Sequence, residues 1–178
     1  MTTAVRRVRA GEGGRVRELR LRAVGDPAAS IAFLTTYEQE LERDQAFWDE
    51  RAAGGADGDS AAMFVAESAD TWIGTCTVLV RRAGDVDHTG RRLTTGRADV
   101  VGVYVDPAHR GSGAIDALLD AAARWSADQG FETLALDVHV DNARAQAVYR
   151  RAGFVPTGET FTSPIGDELA MSRSLRTL

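Results

Sequence analysis

Residues 98–128 read A-D-V-V-G-V-Y-V-D-P-A-H-R-G-S-G-A-I-D-A-L-L-D-A-A-A-R-W-S-A-D, and this segment decides the fold. The apolar, β-branched run at residues 100–105 predicts a buried strand. Asp106 and Pro107 end the strand, because proline fixes φ and has no N–H to donate to a neighbouring strand. A glycine loop at residues 110–113 then leads into a helix with one apolar face. The segment therefore predicts a strand, a glycine loop and a helix in succession.

This succession is typical of sites that bind phosphate groups. The first backbone N–H groups of a helix have no partner within the helix, and the helix dipole favours an anion there. A P-loop would require a lysine, and the chain contains none, since its 21 basic residues are all arginine. A dinucleotide fingerprint would require a third spaced glycine, which is missing. An ordinary glycine turn before a helix is the alternative.

Composition limits the classes of protein to which the chain can belong. It has 178 residues, 44% of them apolar and 26% charged, which predicts one globular domain of ordinary composition. No apolar run is long enough to span a membrane. The net charge of −5 argues against nucleic acid as a partner and is compatible with a cationic substrate. The single cysteine, Cys76, cannot form an internal disulfide, and it is expected to be buried in a cytoplasmic protein.

Hydrophobic periodicity and turn residues predict a mixed α/β arrangement in the rest of the chain. The arginine-rich N-terminus could mimic a transit peptide, but its Glu12 and Glu18 favour a first strand and helix. Residues 81–97 are expected to form a mobile loop in which His88 is exposed. The acidic side chains between Glu38 and Asp44 are expected to be solvated. The predicted elements are strands at 5–9, 63–67, 72–80, 133–140, from 154 and at 168–175, and helices at 16–23, about 28–53, 114–129 and 142–152.

A second motif, D-N-A-R-A-Q-A-V-Y-R-R-A-G-F, occupies residues 141–154. From the residues alone, Asn142 is expected to cap a helix N-terminus, since its side chain can accept from an early N–H group. Tyr149 on its own would be a core aromatic residue with a solvated hydroxyl.

Together the two motifs resemble motifs A and B of the GCN5-related N-acetyltransferases, the GNAT family. Motif A of that family is Gln/Arg-x-x-Gly-x-Gly/Ala, and Ile115 departs from it at the last position. The resemblance covers about residues 60 to 175, with looser similarity towards the N-terminus. The residues that match are Arg110, Gly111, Ser112, Gly113 and Ala114 in motif A, and Asn142, Ala145, Tyr149, Gly153 and Phe154 in motif B.

The resemblance implies a single GNAT domain over residues 1–178, of the α/β (α+β) class. Its central sheet would be mixed and mostly antiparallel, with helices on both faces. It implies a bacterial-type cytoplasmic N-acetyltransferase that uses acetyl-CoA and no metal. The acceptor would be a primary amine of a small molecule or a peptide N-terminus, attacking directly through a tetrahedral intermediate. A homodimer is compatible with the family, and neither nucleic acid nor a membrane is expected as a partner.

The resemblance also assigns roles to residues. Tyr149 would be the acid that protonates the leaving thiolate, and Asp137 would be the base. Asp99, Glu67 or a water chain are alternatives for the base, and structural or surface roles are favoured for His109 and His139. The acidic residues near Glu40 would border the acceptor pocket. The cofactor would be bound by the backbone of Val103, Tyr104 and Val105, by Arg110, Gly111, Ser112, Gly113, Ala114 and Ile115, and by Asn142.

Two other functions are compatible with the same sequence. A non-catalytic acyl-CoA-binding or sensor domain would bind coenzyme A without turnover. An interaction module would have kept the fold and lost the cofactor site, and Ile115 is the feature that favours it.

Overall fold

The computed structural model describes residues 3–87 and 90–176, so the expectation for His88 lies outside the described residues. The strands are β1 (Ala4–Arg7), β2 (Ala61–Ser68), β3 (Thr71–Arg81), β4 (Arg97–Val105), β5 (Thr133–His139), β6 (Val155–Ser163) and β7 (Gly166–Ser174). The helices are α1 (Gly13–Val24), α2 (Tyr37–Leu41), α3 (Gln45–Ala56), α4 (Ala114–Asp128) and α5 (Ala143–Arg151), with 3₁₀ turns at Ala29–Ile31 and Pro107–His109. None of the helices in these described ranges combines the length and hydrophobicity needed to cross a bilayer.

The strands form one mixed sheet in the order β1-β2-β3-β4-β5-β7-β6. Neighbouring strands are antiparallel except β4 and β5, which are parallel. In the described residues, β4 and β5 pair only at Ala98–Leu134 and Asp99–Ala135. Beyond these pairs β4 continues along β3 and β5 continues along β7, so the sheet opens between β4 and β5.

Helices cover both faces of the sheet, as predicted. On one face, α4 and α5 pack on the strands through buried residues such as Leu118 and Tyr149. On the other face, α1 and α3 contribute Leu19 and Trp48 to a second apolar cluster. Cys76 is fully buried in the first cluster, as the sequence predicted. The helix α4 packs across β1 to β5, whereas α1 packs on β3 and α3 on β2.

The prediction of one helix over residues 28–53 is wrong. Two capping residues, Thr36 and Asp44, each begin a separate helix in this segment. Thr36 and Gln39 form a capping box at the start of α2, with Thr36 Oγ1 accepting from the Gln39 amide at 3.3 Å. Asp44 caps α3 by accepting from the amide of Phe47 at 2.9 Å. Glu40 is 2% exposed and accepts from Arg20 Nε at 2.8 Å, so the acidic residues between 38 and 44 do not form a uniformly solvated face.

Two other segments also differ from the sequence-based interpretation. The first helix was predicted over residues 16–23, and it begins earlier, at Gly13, which lies so close to α3 that an added Cβ would be 2.2 Å from Asp49 Oδ1. The β3–β4 connection (residues 82–96) lies in the segment 81–97 that was expected to be a mobile loop, and Arg81 and Arg97 belong to the flanking strands. Its two described arms pair with each other through a bridge between Val86 and Arg92. This pairing places Arg91 beside the sheet, with consequences for the site.

Candidate functional site

A cavity of about 350 Å³ occupies the opening between β4 and β5. The ends of both strands, the glycine loop, α5 and the segment around the first 3₁₀ turn all contribute to its wall. It lies at the carboxyl ends of two parallel strands, where ligands commonly bind in α/β sheets. The residues used below that line it are Phe33, Val103, Tyr104, Val105, His109, Arg110, Gly111, Ala114, Ile115, Asp137, His139, Asn142, Arg144, Tyr149, Arg151, Ile165 and Glu168.

Backbone N–H groups of β4 point into this opening. The amide of Asp106 donates to the carbonyl of Ile73 at 2.8 Å, so it faces β3. Successive amides of a strand alternate in direction, and those of Val105 and Val103 therefore face the cavity, while that of Tyr104 faces β3. Arg110 Nε donates to the Val105 carbonyl at 3.1 Å from the cavity side, which agrees with this direction. Two of the three predicted backbone donors thus face the opening.

The glycine loop presents further unpaired amides at the start of α4. Gly111 and Gly113 have φ values of +79° and +84°, a left-handed conformation that glycine adopts without strain. In the described part of the chain, no acceptor takes the N–H groups of Gly111, Gly113 or Ile115. Ser112 Oγ accepts weakly from the Ala114 amide at 3.4 Å. This arrangement suits an anion such as a pyrophosphate.

The departure at Ile115 is accommodated by packing. Its side chain is partly buried against the core under α4, and its backbone N–H group keeps its place in the first turn of the helix. A β-branched residue at this position therefore removes no donor. Ser112 and Gly113 do not line the cavity with their own atoms, whereas Arg110, Gly111, Ala114 and Ile115 do.

Arg110 is already held by protein groups. Besides the Val105 carbonyl, its guanidinium binds the carboxylate of Asp26. Burial raises the pKa of Asp26, but the Ala28 amide and Arg110 outweigh that effect and hold the pKa below its ordinary value. Sequence reasoning missed two other arginines that line the cavity, Arg144 and Arg151. Their spacing of seven residues on α5 was the signal, since it places both on one face of a helix.

Asn142 caps α5, as predicted from the residue alone. Its Oδ1 accepts from the Ala145 amide at 3.1 Å. Because this bond leaves the amide Nδ2 available as a donor at the cavity wall, the cap and a contact to cofactor are compatible.

Tyr149 lies on the cavity side of α5 and is 9% exposed. Its ring packs edge-on against Phe154, with centroids 6.1 Å apart. Burial raises the pKa of the phenol above its ordinary value, so the group stays protonated at neutral pH. Its hydroxyl has no hydrogen-bond partner in the described ranges 3–87 and 90–176. The phenol can therefore donate a proton or a hydrogen bond to a bound group.

Asp137 lies on β5 with its carboxylate in the cavity wall. Its side chain is 1% exposed, and Arg91 Nη2 donates to Oδ2 at 3.1 Å. Arg97 Nη2 lies 3.7 Å from the same oxygen. Burial raises the pKa of Asp137 to about 6, although both arginines act to lower it. A carboxylate with such a pKa is ionised at neutral pH and is a suitable general base.

The alternative bases lie elsewhere or are engaged. Asp99 is completely buried, is bound by Arg97 and does not line the cavity. Glu67 lies on β2, away from the opening, and accepts from Arg6 and from Trp72 Nε1 at 2.7 Å. The structure thus brings only Asp137 of the three candidate carboxylates into the cavity wall with Tyr149.

Both histidines near the site line the cavity, and His139 has a structural role. The amide of Asp141 donates to His139 Nδ1 at 3.1 Å. Nε2 must then carry the proton, which it donates to the carbonyl of Ile165 at 3.1 Å. Neither ring nitrogen remains for proton transfer. His109 lies in the 3₁₀ turn that follows β4.

Glu168 is a carboxylate at the cavity that sequence reasoning did not assign to the site. It lies on β7 directly opposite His139 on β5, and it is 5% exposed. The signal in the sequence was an acidic residue at the start of a strand in which apolar and polar residues alternate. Only the pairing of β7 with β5 places it beside Asp137.

The sequence is similar to those of known acetyltransferases. A model of the acetyltransferase (GNAT) family matches residues 27–154. The aminoglycoside N(6′)-acetyltransferase type 1 of Stenotrophomonas maltophilia is 34% identical over 54% of this chain and 61% of its own length. The mycothiol acetyltransferase of Clavibacter sepedonicus is 34% identical over 48% of this chain and 29% of its own length. The chain thus spans less than two thirds of the length of these curated relatives.

Solved structures show the same fold. The PaiA N-acetyltransferase of Thermoplasma acidophilum, in complex with coenzyme A, superposes with a TM-score of 0.76 at 15% identity, over 98% of this chain and 99% of that one. Nourseothricin acetyltransferase superposes with a TM-score of 0.55 at 28% identity, over 67% of this chain and 68% of that one. The family model covers well over half of the sequence, and the chain therefore belongs to the GNAT family of acetyltransferases.

Proposed function

We propose that this protein transfers an acetyl group from acetyl-CoA to a primary amine of a small molecule or a peptide N-terminus. One observation carries the proposal. Gly111 and Ile115 with their unpaired amides, the inward-facing amides of β4, the Tyr149 phenol and the Asp137 carboxylate all line one cavity. The relatives from Stenotrophomonas and Clavibacter, both named as acetyltransferases, support the same reaction class.

The residues present fit acetyl-CoA. The amides of Gly111, Gly113 and Ile115 would bind the pyrophosphate without a metal, with Arg144 and Arg151 near it. Acetyl-CoA supplies the thioester whose carbonyl carbon the amine attacks. The N–H groups of Val103 and Val105 would stabilise the charge that develops on the carbonyl oxygen. Losing such a donor typically costs about 3 kcal/mol of transition-state stabilisation.

Two proton transfers fall to side chains. An alkylamine with a pKa near 10 is only about 0.1% neutral at pH 7, a penalty of about 4 kcal/mol unless a base removes the proton. Asp137 is the group in the cavity wall that would accept this proton. Tyr149 would give its proton to the leaving thiolate. Burial raises the pKa of the phenol above that of a free thiol, about 8.5, and the same desolvation disfavours a thiolate formed in the same cavity, which favours the transfer.

The test combines binding with turnover. Calorimetry would measure acetyl-CoA binding, and thiol release would be followed with a panel of amines, dipeptides and aminoglycosides. The expected effect of Tyr149→Phe is a fall in kcat of about tenfold or more, with acetyl-CoA affinity unchanged, because the phenol acts on the leaving group. Tyr37→Phe is the matched control, since Tyr37 is exposed and does not line this cavity.

The outcomes separate the rival functions. Binding of acetyl-CoA without thiol release on any acceptor would favour the non-catalytic sensor. Absence of binding would contradict the proposal and favour an interaction module. That residues 1–178 form one domain of this kind, and that the protein is a cytoplasmic homodimer, remain predictions.

A further inference from the structure

Glu168 is a buried residue whose carboxylate faces the cavity and has no partner among the residues that the structure describes. It is 5% exposed and lines the cavity between β4 and β5. Within the described residues, no side chain or backbone group donates a hydrogen bond to it and no arginine lies within ion-pair distance of it. Its oxygens are not among the fully enclosed unpartnered atoms of the described residues, so they open onto the cavity, where a cationic ligand can reach them.

The cations and donors nearby are already engaged. Arg91 contacts the ring of Phe161, which pairs directly with Glu168 across β6 and β7. Its guanidinium nevertheless donates to Asp87 at 2.8 Å, to Glu159 at 2.8 Å and to Asp137 at 3.1 Å. The single N–H of the His139 ring donates to Ile165. Glu168 is therefore the carboxylate of the cavity wall that remains available to an incoming cation.

Glu168 lies at a distance from the reaction centre. Asp137 on β5 pairs directly with Ala170 on β7, and Glu168 is two residues before Ala170. Glu168 is therefore a diagonal neighbour of Asp137 on the same face of the sheet, and their Cα atoms are about 7–8 Å apart. Asp137 lies on β5, next to the opening in the sheet. Glu168 lies one strand further away, on β7. A group held by Glu168 would thus be several ångströms from an amine that Asp137 deprotonates.

We propose that Glu168 binds a second cationic group of the acceptor, which makes the acceptor a molecule with at least two amino groups. This inference rests on the proposed function, since it assigns the acceptor side of the same cavity. The reacting amine lies near Asp137 and the opening, and the second ammonium group lies at Glu168. Phe33 and Ile165 contribute apolar wall to the same cavity, which suits the carbon chain between the two nitrogens.

The test measures acceptor binding, which does not depend on turnover. Calorimetry would compare diaminoalkanes of increasing chain length with monoamines of the same length, with and without coenzyme A. The best diamine is expected to bind about tenfold more tightly than its monoamine, the gain that a hydrogen bond between charged groups provides. In Glu168→Gln this ratio is expected to fall to near one.

Two variants keep the test specific. Glu168→Asp retains the charge and is expected to retain the preference for diamines, with an optimum at a longer chain. Glu132→Gln removes the same charge from an exposed residue away from the cavity, and is expected to leave the ratio as in the unchanged protein. Thermal unfolding of each variant would verify folding.

A ratio near one in the unchanged protein, or a ratio that Glu168→Gln leaves intact, would overturn the inference. Its failure differs from failure of the proposed function. If only the role of Glu168 is wrong, thiol release persists, and the ratio of diamine to monoamine affinity is the same in Glu168→Gln as in the unchanged protein. If the proposed function is wrong, no amine gives thiol release.

Discussion

The buried carboxylate of Asp137 should set the pH dependence of the reaction. Burial raises its pKa to about 6, so the base is protonated and inactive below that pH and ionised above it. With the acceptor bound as an ammonium ion, kcat/KM is expected to rise about tenfold per unit up to about pH 6 and then to level off. The pH profile of thiol release measures this directly.

The matched variant for this profile is Asp137→Asn, which keeps the shape of the side chain and removes the base. Its rate should depend on the free amine alone, and should therefore keep rising well above pH 7 without a plateau. A plateau at the same pH in both proteins would show that another group titrates. It would favour the alternative in which a water chain, and not Asp137, removes the proton from the amine.

At the scale of an element, the left-handed start of α4 is the feature most open to test. Gly113 has a φ of +84°, and an added Cβ would meet nothing within 4 Å. Any loss in Gly113→Ala therefore comes from backbone strain, about 1–2 kcal/mol of unfolding free energy. We also expect weaker acetyl-CoA binding, because the loop amides would be displaced.

Gly54→Ala is the control for that substitution. Gly54 lies inside α3, its φ is not positive, and an added Cβ likewise meets nothing within 4 Å. The same change should raise the free energy of unfolding there by about 0.5–1 kcal/mol, since alanine is the better helix former. Denaturant unfolding of both variants should give opposite signs. Equal signs would contradict the account of Gly113.

Local signals in the sequence were sufficient for some elements and insufficient for others. The strand, glycine loop and α4 follow from adjacent residues, and so does the cap of α5 at Asn142. The break of the long predicted helix at Thr36 was missed, although its capping box is a local signal, because apolar periodicity outweighed it. Glu168 could not be assigned to the site, since only the pairing of β7 with β5 brings it to the cavity.

For the molecule as a whole, Arg91 connects segments that are far apart in sequence. It binds Asp87 in its own connection, Asp137 on β5 and Glu159 on β6. Because Arg91 lowers the pKa of Asp137, Arg91→Ala should move the acidic limb of the pH profile to higher pH. Arg92→Ala is the control, since among the described residues the Arg92 side chain donates to the Gly84 carbonyl alone. An unmoved limb in Arg91→Ala would show that this ion pair does not tune the base.

The opening between β4 and β5 also bears on how long the protein survives in a cell. Only two residue pairs join the two halves of the sheet there in the described residues. A ligand seated between the halves stabilises the folded state by about 2.7 kcal/mol at a hundredfold excess over its Kd. Proteases cleave the transiently unfolded form of a protein, and a ligand that binds the folded form lowers the population of the unfolded form. Degradation should therefore slow when acyl-CoA is abundant. Limited proteolysis with and without coenzyme A would measure this link between metabolic supply and protein abundance, and equal cleavage rates would contradict it.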